Sequence, residues 1–145
     1  MNKPHITAIL AITSLAFSTG AMAQSMSESE YKAAGKNIKA EHLSAKTDCD
    51  SFANNAKDIC MAVAKGNEKV AKAELEARYK PSKNASYNVS IAKAEANFAV
   101  AKEKCDGKEG NAEDVCEEEA KAAFVHAQSD AKAKLKNLEP IIIAK

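Results

Sequence analysis

Apolar and small residues recur in two long stretches of this chain at alternating spacings of four and three, the period of a helix seam. Ile59, Val63, Gly66, Val70, Ala73 and Ala77 follow that pattern in one stretch. Tyr87, Ile91, Ala94, Phe98, Ala101 and Cys105 follow it in another. A seam with so much Ala and Gly predicts narrow helix contacts with closely approaching backbones.

The breaks between periodic stretches predict four helices. Ser27 with Glu30 three residues on is a capping-box signature, so a first helix is expected from there to about Asp48. Asn55 with Asp58 reads as the cap of a second helix, which runs to about Lys80 and stops at Pro81. A third is expected from about residues 84–86 to Lys104. The loop from Asp106 to Gly110 follows, and Asn111 caps a fourth helix that ends before Pro140.

Sliding the chain along itself by 56 residues superposes the cysteines: Cys49 falls on Cys105 and Cys60 on Cys116. The same offset matches Tyr31 with Tyr87, Asp50 with Asp106, Asn55-Ala56 with Asn111-Ala112, and Ala64-Lys65 with Ala120-Lys121. Compositional bias aligns Ala and Lys by chance, but not four Cys, two Tyr and two Asn. The expected organisation is a leader over 1–23, one helical hairpin over 24–81, a second over 82–139, and a tail over 140–145. The fold class is all-α: two disulfide-stapled hairpins in an Ala-rich antiparallel bundle or an extended coiled-coil-like array.

Each hairpin carries one Cys-x10-Cys pair. In one unbroken helix those two residues would stand about 16 Å apart, beyond the reach of a disulfide. A turn between them brings the helices antiparallel and the sulfurs together. Cys49–Cys60 with Cys105–Cys116 is favoured, because each hairpin is then self-sufficient. Both loops lie at the same end of an up-down-up-down array, so Cys49–Cys116 with Cys60–Cys105 remains a physical alternative. Zinc sites and redox dithiols use closer pairs such as C-x2-C, which is absent here. Structural staples are therefore the expectation, with thiol or metal handling by the four cysteines as the alternative.

Composition supports helices over a coil. Leu, Ile, Val and Phe number only 19 of the 122 residues after position 23, while Ala, Lys and Glu, all strong helix formers, are abundant. Six acid-to-base pairs stand four apart: Glu28-Lys32, Glu68-Lys72, Glu74-Arg78, Glu76-Lys80, Glu117-Lys121 and Asp130-Lys134. Each is worth about 0.2–0.5 kcal/mol.

The N-terminal residues read as an export signal. Lys3 precedes an apolar run from Ile6 to Phe17, and Ala21-Met22-Ala23 is a small-x-small site that places cleavage before Gln24. Without Lys3 the chain has 20 Lys+Arg against 20 Asp+Glu. A neutral total argues against nucleic acid or an anionic membrane as a partner drawn by bulk charge. After cleavage no segment predicts stable membrane insertion, and Ile141-Ile142-Ile143 is too short for it.

The two histidines beyond the leader, His42 and His126, belong to no nucleophile motif, and no phosphate-binding glycine loop occurs. No catalytic residue, metal ligand or cofactor is assigned, and no enzyme activity is expected. The hairpins differ where Met61-Ala62-Val63 aligns with Glu117-Glu118-Glu119. Met61 and Val63, with the three glutamates, are the candidate partner surface. The acids also complement the positive end of the fourth helix.

The blocks from Asn55 to Cys60 and from Lys69 to Pro81 resemble small exported proteobacterial proteins with paired Cys-x10-Cys blocks. Some of these carry a TolA-like cell-envelope label. The resemblance implies an envelope compartment and this architecture, and it carries over no catalytic residue. The expected function is non-enzymatic: a periplasmic or secreted helical protein making protein–protein contacts with an envelope partner, with a link to stress.

Overall fold

The computed structural model describes residues 26–137. The expected signal segment, with Ala21, Ala23 and Gln24, lies outside the described residues, as does the tail from 140 to 145. Four helices follow in order: α1 Glu28–Cys49, α2 Asn54–Tyr79, α3 Lys83–Cys105 and α4 Asn111–Asn137.

Local chemistry sets the helix ends. At α1 the capping box is complete: Glu30 N–H donates to Ser27 Oγ at 3.3 Å, and Ser27 N–H donates to Glu30 Oε2 at 2.8 Å. Those bonds favour the ionised carboxylate and hold the Glu30 carboxyl below its ordinary range. α2 stops before Pro81, whose ring forbids a helical Lys80. Ser82 then caps α3, its Oγ accepting Ala85 N–H at 2.9 Å. α4 starts after Gly110, which takes φ +58°, a left-handed conformation that costs glycine little.

Asn55 does not cap α2. Ala53 occupies the cap position without a side-chain bond, Asn54 begins the helix at φ 53°, and Asn55 lies inside it. An Asn tolerates the left-handed region better than most residues. Asn111 likewise opens α4 as its first helical residue.

Extensive packing joins α1 to α2, α2 to α3, and α3 to α4. α1 and α4 do not close the ring, so the helices form an open array. The two middle helices each need two seams. On α2, Ala64 and Leu75 meet α1, shown by the bond from His42 to the Ala64 carbonyl and the approach of Gly35 to Leu75. Gly66 meets Ala96 of α3. Ala64 and Gly66 are separated by about 200° around the helix, so the neighbours of α2 sit on nearly opposite sides of it. On α3, Phe98 and Cys105 face α4 while Ala96 faces α2. The result is close to a single layer of helices.

A single periodic seam per helix, as the spacing predicts, is therefore half of the truth. Gly66, Ala94 and Cys105 are buried as expected, but Val63 is 40% exposed. The remaining core is Ile38, Leu75 and small alanines, with Cys49 and Cys105 the largest fully buried side chains. With so little aliphatic volume, the cystines serve as core as well as cross-link.

Of the six expected intrahelical ion pairs, Glu28–Lys32 forms at 2.5 Å and Glu68–Lys72 at 2.6 Å. Glu74 instead pairs across the α2–α3 junction with Lys93 at 2.7 Å. Glu76 accepts Tyr31 Oη–H at 2.8 Å, Lys121 approaches Glu118 at 3.6 Å, and Asp130 faces His126 at 3.2 Å. Contacts between adjacent helices and nearer partners outcompete pairs worth a few tenths of a kcal/mol.

Candidate functional site

The helices alternate in direction, so both cysteine necks lie at one end of the layer. Cys49 bonds Cys60 and Cys105 bonds Cys116, each pair with Cα atoms 5.5 Å apart. The pairing within each hairpin is the one that a duplicated, self-sufficient unit favours, and the crossed alternative is not formed. Among the described residues no free cysteine remains.

The necks are tied together. Asn55 Nδ2 donates to the Glu103 carbonyl at 2.5 Å, and its Oδ1 lies 3.0 Å from where a Cβ on Gly107 would stand. Asn55, half-buried, thus links the start of α2 to the end of α3. Spacing alone offered only its capping role, since a tether across 48 residues leaves no local signal.

A polar pair sits midway along the α1–α2 seam. His42 Nδ1 donates to the Ala64 carbonyl at 3.2 Å, and its Nε2 lies 3.6 Å from Glu68 Oε2. The two side chains are only 17% and 18% exposed. Lys72 at 2.6 Å from Glu68 holds that carboxyl below its ordinary range, with smaller help from His42 and Lys39. Fifty-six residues further on, the corresponding positions hold Phe98 and Phe124, whose rings stack at 4.9 Å. One hairpin joins its helices here through a polar contact, the other through an aromatic pair. His126, by contrast, is an exposed partner of Asp130.

The expected partner surface does not hold together as one face. Met61 lines a groove of about 450 Å³ on one side of the Gly66–Ala96 crossing, with Lys65, Lys69 and Glu95. Val63 lines a groove of about 330 Å³ on the other side, with Asn67 and Val100. Residues two apart on a helix point in nearly opposite directions, so Met61 and Val63 serve different faces. Glu117 lies 4.0 Å from Lys102, Glu118 is 3.6 Å from Lys121, and Glu119 is exposed.

The end of the layer away from the disulfides is closed by Tyr31 and Tyr79, stacked at 4.3 Å. The hydrogen bond from Tyr31 to Glu76 raises the Tyr31 phenol above its ordinary pKa. A groove of about 780 Å³ opens beside it, lined by Lys32, Lys72, Lys80, Asn84 and Asn88. Among the described residues no three His, Cys, Asp or Glu side chains gather as a metal site, and no helix is long and apolar enough to cross a membrane. No protein family, curated protein or solved structure matches this chain.

Proposed function

We propose that this chain is a disulfide-stapled helical scaffold of an oxidising compartment outside the cytoplasm, working by protein–protein contact in the cell envelope. The observation that carries this reading is the open layer with its four cysteines paired. Cross-linked necks suit an oxidising space. An open layer offers side chains along two broad faces and two edges, whereas an enzyme site needs convergent groups in an enclosing pocket. Leu43, Phe52, Val63, Val115 and Val125 are all at least 40% exposed, which is apolar surface available for contact. The leader-like N-terminus and the resemblance to exported proteins support the same compartment. Thiol or metal handling is disfavoured, because Cys49 and Cys105 are buried in their disulfides.

The test is site-specific photocrosslinking in the producing cell, with the probe placed in turn at Val63, Val115 and Glu119. Adducts confined to one face, to the same envelope protein each time, support the proposal. Protein recovered with reduced cysteines, or no adduct from any position, overturns it.

A further inference from the structure

The offset of 56 carries α1 onto α3 and α2 onto α4. The α2–α3 junction is then a contact between the second helix of one hairpin and the first helix of the next. The corresponding surfaces occur once more, on the outer edges of the layer: on α4 at one side and α1 at the other. We propose that copies of this chain associate head to tail, the α4 edge of one packing antiparallel on the α1 edge of the next as α2 packs on α3. This rests on the helix-contact reading above and names a second copy as the partner.

Four observations point to that occupant. First, the two most exposed large apolar side chains among the described residues are Val125 at 57% and Leu43 at 54%. They correspond by the offset to Lys69 and Ala99, which line one groove beside the Gly66–Ala96 crossing. Second, the crossing residues have small counterparts, Ala122 for Gly66 and Ala40 for Ala96. A Cβ on Gly66 would lie 2.9 Å from Ala96 Cβ, so two alanines need a slightly wider spacing. Leu43 is larger than the Ala99 it corresponds to and fills part of the gap that spacing leaves. Third, charges complement. The offset carries Glu74–Lys93 onto Asp130 and Asn37, with Lys36 one residue away, and carries Lys80 and Asn84, which line one groove, onto Lys136 and Glu28. Fourth, the tether has counterparts. Asn111 corresponds to Asn55, and Thr47 supplies the carbonyl that Glu103 supplies inside the chain.

Such a contact is heterologous and does not close on itself, so it extends into chains of copies. A single helix edge about 35 Å long buries less than a standard interface. The association is therefore weak and belongs at high protein concentration.

The experiment uses the full chain with both disulfides formed. Sedimentation over a concentration series should show an average mass rising to about twice the monomer's or beyond. A40C and A122C, mixed and joined by a short bismaleimide, should give a dimer. Either alone should stay monomeric, and both in one chain should give a ladder. K36E and D130K should each weaken association about threefold, the scale of one exposed ion pair, and together should restore it. Circular dichroism confirms that each variant keeps its helices. A protein that stays monomeric throughout overturns the proposal while leaving the scaffold reading with a different partner. Cross-linking of A40C to itself, or of A122C to itself, also overturns it, because the contact is then two-fold and not head to tail.

Discussion

Gly66 passes so close to Ala96 that a Cβ on the glycine would stand 2.9 Å from the alanine's own. This crossing is where the two hairpins meet, and its spacing fixes the α2–α3 distance. Gly66→Ala gains about 1 kcal/mol of helix propensity and meets an overpacking cost of about 1–3 kcal/mol. The expected result is a net loss of up to about 2 kcal/mol in urea unfolding. Ala96→Gly on that background restores the spacing, so the double variant should return close to wild type. Additive losses in the double-variant cycle would show that the crossing does not set the distance.

His42 and Glu68 bridge α1 to α2 where Phe98 and Phe124 bridge α3 to α4. Transplanting the aromatic pair as H42F with E68F should leave stability unchanged or raise it, since replacing both partners of a partly buried polar contact by apolar groups is nearly neutral or stabilising. Each single change should cost about 1–3 kcal/mol, by leaving the partner group poorly solvated. Thermal melts of the four proteins give the coupling. A double variant less stable than both singles rules out the equivalence of the two pairs.

What was legible beforehand was what is local. Ser27 and Glu30 form their capping box because both partners lie within one turn, and Pro81 ends α2 whatever surrounds it. The turn and the duplication favour the pairing within each hairpin but leave the crossed one open, and only the two observed bonds decide between them. The second seams of α2 and α3 are not legible, because Ala64 on α2 and Ala96 on α3 read as helix formers whether they face solvent or a neighbour. Asn55 suits a cap by residue type, and only the packing of α2 on α3 turns it into a tether to Glu103. Met61 and Val63 looked like one patch because adjacency in sequence hides opposite directions on a helix.

The two disulfides should contribute similarly, since each closes a loop of the same length. C49A/C60A and C105A/C116A should each lose roughly 2–3 kcal/mol from loop closure alone. The buried Cys49 and Cys105 sulfurs add a packing loss to each. Asn55→Ala should cost about 1–2 kcal/mol by orphaning the Glu103 carbonyl, without altering either cystine. Non-reducing peptide mapping checks the connectivity: a peptide joining Cys49 to Cys116 contradicts the pairing within hairpins.

Acid should destabilise the protein in part through Glu30 and Glu68. Both carboxyls are lowered in the folded state, Glu30 chiefly by the Ser27 hydrogen bonds and Glu68 chiefly by Lys72. The sign follows from linkage. A group whose folded pKa lies below its unfolded value contributes stability above the unfolded value, about 4.3 for Glu, and loses it as pH falls through the folded one. Urea midpoints should therefore hold from neutral pH to about 5 and decline below about 4.3. Glu68→Gln should flatten part of that decline, and Glu30→Gln another part, while lowering stability at pH 7. Tyr31 acts at the other extreme. Its raised phenol donates to Glu76 only while protonated, so its contribution is present below about pH 10 and disappears as pH rises through the folded value. Tyr31→Phe should remove that alkaline loss and leave the acid limb untouched; an alkaline loss that persists in the variant would rule out the Tyr31 phenol as its source.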